Sequence, residues 1–112
     1  MTNAEILKNL ISPFAPIYLE EAESDTYPFV VTSLQSSPTS TKDIINVECS
    51  DAIITVVDND FDQANTIAQG IKGALESARS VTLATYYKSR AQYCSEGIWQ
   101  IVLRFTMKNI QN

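Results

Sequence analysis

The residues with the most potential for chemistry are carboxylates and two cysteines, because the 112-residue chain contains no histidine. Histidine is the commonest general base and transition-metal ligand, so the chain can form neither a Ser-His-Asp triad nor a Cys-His pair. Cys49 and Cys94 are 45 residues apart, which does not match the paired ligands of a structural zinc site. A glycine-rich phosphate loop is also absent. We therefore predict no catalytic site, no metal site and no cofactor.

Three aspartates have the spacing of a calcium-binding loop. Asp58, Asp60 and Asp62 occupy alternate positions, as the first three ligands of such a loop do. The loop also needs a glycine at its sixth position and an acidic residue at its twelfth, where this chain has Gln63 and Gln69. Acidic residues at the start of a helix bind its free amides and oppose its dipole. We therefore interpret the aspartates as helix-capping residues.

Two further groups could be read as functional. Glu20 and Glu21 could be the paired carboxylates of an acid–base catalyst, but their acidic surroundings favour a solvent-exposed loop. Four aromatic residues could form a stacking platform for nucleic-acid bases. Their positions in predicted strands favour packing in the core or in an interface instead. These residues are Tyr86, Tyr87, Tyr93 and Trp99.

The charge of the chain is acidic overall and unevenly distributed. The formal net charge of −5 disfavours a free nucleic-acid binder and a protein attached to anionic membranes. Residues 1–62 hold eleven acidic and two basic residues, a net of −9, whereas residues 63–112 hold two acidic and six basic residues, a net of +4. The charges of the two halves either mix on one surface or form an acidic and a basic side. Copies with two such sides could associate head to tail.

The start of the chain bears on its compartment. Glu5, Lys8 and Pro13 interrupt the first apolar stretch, so we expect no secretory signal. No apolar run approaches the ~20 residues that span a bilayer. We expect a cytosolic protein whose two thiols, Cys49 and Cys94, are free and mostly buried.

The first of two predicted helices covers residues 3–12. Thr2 and Glu5 have the spacing of a capping box, in which each side chain binds the other residue's free amide. Apolar residues at helical spacing follow. Pro13 ends the helix, because proline disfavours helical geometry in the preceding residue.

The second predicted helix follows Asp60, which we expect to be its N-cap, with Gln63 at the capping-box position. Small residues in its apolar stripe would let the helix approach a sheet closely. Gly70 and Gly73 each cost up to ~1 kcal/mol in a helix, and close packing would explain one of them. The stripe consists of Phe61, Ala64, Ile67, Ala68, Ile71, Ala74, Leu75 and Ala78.

Four strands are predicted from β-branched, aromatic and alternating residues, over residues 28–34, 44–57, 81–87 and 97–110. Residues 17–19 could add a short strand. In the last strand, apolar residues alternate with Gln100, Arg104, Thr106 and Lys108, which indicates one buried and one polar face. The apolar set is Trp99, Ile101, Leu103, Phe105 and Met107.

Three details of the strands are predicted as well. The polar stretch Ser50–Ala52 suggests a bulge in the second strand. Residues 53–57 are apolar on both faces, as in a strand that is covered on both sides. Polar residues and a glycine place a turn within residues 88–97. We therefore predict an α+β fold in one domain over residues 1–112: a single, mainly antiparallel sheet with long hairpins and two helices on one face, in the order α-β-β-α-β-β.

Three classes of function remain open at this point: a structural subunit of a ring or filament, a small adaptor and, with the least support, an enzyme. The last strand would span ~45 Å at about 3.3 Å per residue. A globule of this size has a radius of gyration near ~13 Å, so such a strand would protrude. Protruding hairpins and open strand edges pair with other chains, which favours a structural subunit.

The order of elements adds a resemblance. A short helix precedes the strand Tyr27–Val31, and a serine-rich loop leads into the strand Asp43–Val57 and the helix Asp60–Ala78. The final hairpin has a pattern formed by Tyr93, Gly97, Trp99, Gln100, Leu103 and Phe105. Over about residues 3–110 the chain resembles the small tail-completion or tail-terminator proteins of long-tailed bacteriophages and prophages.

This resemblance implies a structural, non-enzymatic virion protein. Such proteins form a hexameric ring that caps the tail-tube protein and docks to the head-completion or neck protein. The ring would be assembled in the host cytoplasm and would lie at the tail–neck junction of the virion. DNA would pass through its lumen without specific binding, which an acidic chain favours, and no membrane would be involved. A head-closure protein, a tube subunit and a non-phage adaptor are the alternatives.

Two candidate contact sets follow. The −9/+4 split fits a ring in which one side of a subunit meets the other side of its neighbour, with simple solvation of both charge sets as the alternative. The predicted subunit interface pairs the basic residues Lys88, Arg90, Arg104 and Lys108 with the acidic residues Glu20, Glu21, Glu23 and Asp25. The predicted loop for contact with tube or neck contains Ser36, Ser37, Thr39, Ser40, Thr41 and Lys42.

Overall fold

The structure is a computed structural model that describes residues 2–19, 26–36 and 46–111. The acidic run Glu20–Asp25 and residues 37–45, which include most of the predicted contact loop, lie outside this part. The described elements are α1 (Asn3–Ile11), β1 (Ile17–Leu19), β2 (Phe29–Ser36), β3 (Asn46–Asp58), α2 (Phe61–Ser77), β4 (Leu83–Ser95) and β5 (Ile98–Gln111).

The five described strands form one sheet in the order β1-β2-β3-β5-β4. β1 runs parallel to β2, and the other three pairs are antiparallel. The predicted α+β class with a mainly antiparallel sheet is confirmed. The predicted order is incomplete, because it omits β1. Three residues carry little periodic signal, and β1 depends on tertiary contacts such as the bond from the Val30 amide to the Pro16 carbonyl, 2.8 Å.

One face of the sheet forms the hydrophobic core. Ala52, Ile54 and Val56 of β3 lie opposite Phe105, Leu103 and Ile101 of β5, and all six are almost completely buried. Both helices contribute to this same core. The alternation predicted for β5 is thus confirmed, because its odd-numbered residues face the core. The contributing helix residues are Leu7, Ile11, Ala64, Ile67, Ala68, Ile71 and Leu75.

Two side chains connect the helices to the sheet. The Asn3 amide group donates to the Ser50 hydroxyl at 3.0 Å, which anchors the start of α1 on β3. The Thr85 hydroxyl donates to the Leu75 carbonyl at 2.8 Å and thereby satisfies a carbonyl near the end of α2.

Asp60 is the N-cap of α2 as predicted. Its carboxylate accepts a hydrogen bond from the Asp62 amide, not from the amide of Gln63 at the capping-box position.

Two local predictions are corrected by the structure, and one is confirmed. β3 pairs in continuous register with β2 and β5 through Ser50–Ala52, so it has no bulge there, and the polar Ser50 and Asp51 side chains are hydrogen-bonded to Asn3 and Thr106. β4 extends to Ser95, beyond the predicted end at residue 87, because the polar residues there belong to a solvated edge strand. The turn predicted within residues 88–97 is a two-residue loop at Glu96 and Gly97, both with positive φ as a type I′ hairpin requires.

The environment of the cysteines is also corrected in part. Both thiols are free, as predicted. Cys49 is half-buried, but Cys94 is exposed, because it lies near the end of edge strand β4.

The two glycines of α2 make a matched pair for a stability prediction. A Cβ atom at Gly70 would lie 2.5 Å from Cε1 of Phe14, whereas a Cβ at the exposed Gly73 would meet nothing within 4 Å. We expect Gly73→Ala to raise the free energy of unfolding by about 1 kcal/mol, because alanine favours the helix. Gly70→Ala should raise it less or lower it, because Phe14 must move. Urea denaturation measures both, and equal stabilisation by the two changes would refute the Phe14 contact.

The capping box of α1 predicts a pH-dependent stability. The Thr2 amide, and next its hydroxyl, donate to Glu5 and lower the pKa of that carboxyl below its usual value. A carboxyl with a depressed folded-state pKa stabilises the fold above its unfolded pKa, and this contribution is lost as the pH falls through the folded value. NMR titration should therefore give a higher Glu5 pKa in Thr2→Ala. An unchanged pKa would show that the box does not form in solution.

Candidate assembly surface

β4 forms a long edge of the sheet. It has 13 residues, and within the described part of the chain no strand pairs with its outer side. Most of its residues from Tyr86 onward are exposed. The N–H and C=O groups of such an edge can pair with another chain. β5 does not protrude as a free strand, because β3 pairs along nearly its whole length, from Trp99 to Gln111. The long axis of the molecule, 49 Å, follows from these long strands.

The β4–β5 side of the molecule carries cations that form no ion pair with any described residue. Arg104 and Lys108 occupy even-numbered positions of β5 and project from the face opposite the core. Lys88 lies at the bulge between Tyr87 and Ser89 and lines a small surface cavity of about 180 Å³ together with Arg104. Among the described residues, no carboxylate approaches these three cations within 4.0 Å. The structure therefore brings three of the four predicted basic residues to one side.

Arg90, the fourth residue of the predicted basic set, has a different environment. It pairs in register with the buried Leu103, so it lies on the core side of the sheet. Its guanidinium donates to the Asn65 side chain of α2 at 2.7 Å and to Gln92 at 3.1 Å. These bonds hold Arg90 against the helix layer and away from Arg104 and Lys108.

Tyr86 is the centre of a cation cluster on the β4 edge. Tyr86 is 43% exposed. The guanidinium carbon of Arg79 lies 5.5 Å from the ring centroid and the Lys108 ammonium lies 5.8 Å from it. Sequence reasoning missed Arg79, because it lies in the connection between α2 and β4, where no periodicity places it next to a strand residue. An arginine close in sequence to an exposed strand tyrosine was the only available signal.

The other aromatic residues confirm a packing role in part. Tyr87 packs edge-on against Phe105, with ring centroids 5.4 Å apart, and its ring also accepts the Lys72 ammonium at 4.5 Å. Trp99 packs against Phe61 at 4.7 Å. Tyr93 is largely exposed on β4. The three tyrosines do not form one stacking platform, because Tyr87 faces the core side and Tyr86 the opposite side.

The face of the sheet opposite the helices has an aliphatic centre. No described helix covers this face, yet it carries β-branched residues that are only half-buried. Residues 53–57 were predicted to be covered on both sides. In the described chain they are covered on one side only. Neighbouring side chains on this face are Val31, Ile53, Thr55, Val57 and Val102. An aliphatic centre with charged residues at its rim is typical of a protein contact surface.

The remaining sequence predictions concern metal binding, the aspartates and membrane spans. No group of three or more Cys, Asp or Glu residues there could hold a metal ion. Asp58 is buried and accepts from the Asp60 amide at 3.3 Å, which is a capping arrangement. None of the described helices is long and apolar enough to cross a membrane.

The fold matches proteins of known structure. One chain in the virion of a native gene transfer agent particle superposes with a TM-score of 0.68 at 18% identity, covering 95% of this chain and 85% of that one. The gp17 protein of bacteriophage SPP1 gives a TM-score of 0.55 at 18% identity, covering 97% of this chain and 88% of gp17. No family model and no curated protein matches the sequence. At this identity the likeness establishes the fold alone.

Proposed function

We propose that the chain is a structural subunit of a phage-like virion that forms a ring, caps the tail tube and joins it to the head or neck. The observation that carries this proposal is the fold shared over 95% of the chain with a component of a gene transfer agent virion. The similarity to gp17 of bacteriophage SPP1 adds a second phage protein of nearly the same length.

The surface of the subunit supports self-association. Among the described residues, a monomer leaves three features in contact with water: the outer edge of β4, the cations with no carboxylate within 4.0 Å and the half-buried aliphatic face. A ring uses two different sides of each subunit, so the −9/+4 distribution of charge suits it. We propose a hexamer in which Lys88, Arg104 and Lys108 face the acidic residues of the adjacent copy.

The proposed partners follow from the position of such a ring. The tail-tube protein would contact one side of it and the head-completion or neck protein the other. The loop around Ser36–Lys42 is the proposed contact for one of them. DNA would pass through the lumen, and the net charge of −5 keeps phosphate contacts few.

Another ring subunit of the neck or tail is the second candidate, because the shared fold does not distinguish a terminator from a head-closure or tube protein. A stable monomer with one defined ligand would instead indicate an adaptor.

Light scattering at low and high salt tests the ring. We expect a species of six times 12.4 kDa, about 74 kDa, that dissociates as salt is raised, because salt screens contacts between exposed charges. A ring that is insensitive to salt would contradict the proposed ion pairs. A strict monomer that also fails to bind tail tubes would contradict the ring and its function together.

A further inference from the structure

We propose that the cluster of Arg79, Tyr86 and Lys108 is the docking point for the acidic run Glu20–Asp25 of a second copy of this chain. This inference rests on the proposed ring, since it names the contact that joins neighbouring subunits. It adds Arg79 and Tyr86 to the interface and removes Arg90.

The cluster is electrostatically incomplete in one subunit. Arg79 and Lys108 both lie within 6 Å of the Tyr86 ring centroid, and their like charges repel each other. The negative face of one aromatic ring offsets only part of this repulsion, because an exposed cation–π contact contributes about 0.5–1 kcal/mol. Among the described residues, no carboxylate lies within 4.0 Å of either cation. A carboxylate from outside the subunit would complete the arrangement.

The donors at the cluster match carboxylates. A guanidinium presents a planar set of N–H donors, and an ammonium adds up to three more. The Tyr86 ring gives the partner an apolar surface beside them. No described strand pairs with the outer side of β4 at this edge, so an extended segment can add main-chain hydrogen bonds there.

The acidic run of the same chain has the matching charge. Glu20, Glu21, Glu23 and Asp25 provide four carboxylates without a basic residue among them. The run follows Leu19, the last residue of β1, and β1 is the edge of the sheet opposite to β4. Leu19, the described residue that precedes the run, and the cation cluster therefore lie at opposite edges of the sheet. This is the requirement for head-to-tail contacts that repeat around a ring.

A protein partner fits these observations better than nucleic acid. The net charge of −5, and of −9 over residues 1–62, repels a polyanion that approaches the molecule. A DNA-binding surface would also need more phosphate contacts than Arg79, Lys108 and the neighbouring Lys88 and Arg104 supply.

A complementary pair of blocked variants tests the contact. Arg79→Glu with Lys108→Glu blocks the basic side, and Glu20→Lys with Glu21→Lys blocks the acidic side. Each double variant alone should self-associate at least about tenfold more weakly than the unmodified chain. Their mixture at about 100 µM should form a dimer of twice 12.4 kDa and nothing larger. The acidic side of one variant can still bind the basic side of the other, and the remaining side of each is blocked.

A charge-matched control separates the cluster from net charge. Lys72→Glu with Arg90→Glu changes the charge by the same amount. Lys72 contacts Tyr87 and Arg90 contacts Asn65 of α2, and both contacts lie on the core side of the sheet. This variant should keep the association of the unmodified chain. The neutral variant Arg79→Gln with Lys108→Gln removes the contact without reversing the charge. Far-UV circular dichroism of every variant shows whether the fold is kept.

Three results would overturn the inference. One is a mixture of the blocked variants that forms no dimer, and another is equal loss of association in the Lys72/Arg90 control. The third is that the unmodified chain binds double-stranded DNA at physiological salt and the Arg79/Lys108 variant does not. Because no tail tube is present in these experiments, their failure is distinguishable from failure of the tube-capping function.

Discussion

Replacing Leu103 by alanine is expected to lower the free energy of unfolding by about 2–5 kcal/mol. Leu103 is 1% exposed and lies in β5 opposite Ile54, at the middle of the core between the sheet and the helices. The substitution removes buried methyl groups and leaves a cavity that a rigid sheet cannot collapse. Domains of this size are stable by roughly 5–15 kcal/mol, so urea denaturation should show a large fall in the midpoint.

The adjacent residue provides the control. Val102 is half-buried on the opposite face of the same strand. We expect Val102→Ala to cost less than about 1 kcal/mol in the isolated chain, because its side chain is only half-buried and its removal leaves no enclosed cavity. Equal costs for Leu103→Ala and Val102→Ala would mean that the two faces of the sheet are equally buried, and the description of the core would be wrong.

Replacing Ala68 by leucine is expected to destabilise the fold by about 1–3 kcal/mol or more, because it overpacks the core. Ala68 is completely buried in the apolar stripe of α2, and its small size lets the helix lie close to the sheet. Three additional carbon atoms would push α2 outward and separate Ile71 and Leu75 from the core. Thermal and urea denaturation should both detect the loss.

Gln69→Leu is the matched control for this overpacking. Gln69 is the next residue of α2 and is exposed, and leucine is a good helix former. The stability of Gln69→Leu should lie within about 0.5 kcal/mol of the unmodified chain. If Ala68→Leu were equally harmless, α2 would not pack against the sheet through this residue.

The helices could be predicted closely because their signals are local. Thr2 and Glu5 form the capping box, Asp60 is the N-cap, and the stripe from Ala64 to Leu75 is buried. Alternation also predicted which side of β5 faces the core. Local patterns of this kind depend on the period of the backbone and need no knowledge of the neighbouring elements.

The parts that were predicted less well depend on neighbours. Residues 17–19 were named only as a possible strand, because three residues carry no period and β1 exists through its parallel pairing with β2. The third long strand was predicted to end at residue 87, but β4 continues to Ser95 because an edge strand tolerates polar residues that water covers.

The assembly surface was predicted only in part for the same reason. Arg104 and Lys108 share a strand face, so alternation grouped them correctly. Arg90 was grouped with them on charge alone, and the bulge at Tyr87 and the bond to Asn65 direct it to the other side. Arg79 joins the group only through the fold.

The most direct test of the proposed function is electron microscopy of tail tubes assembled from tube subunits in the presence and absence of this chain. The tubes should come from the particle that carries the chain. We predict shorter tubes with ring-shaped density at one end and no density along their sides. Tubes of unchanged length with unoccupied ends would contradict the tube-capping function.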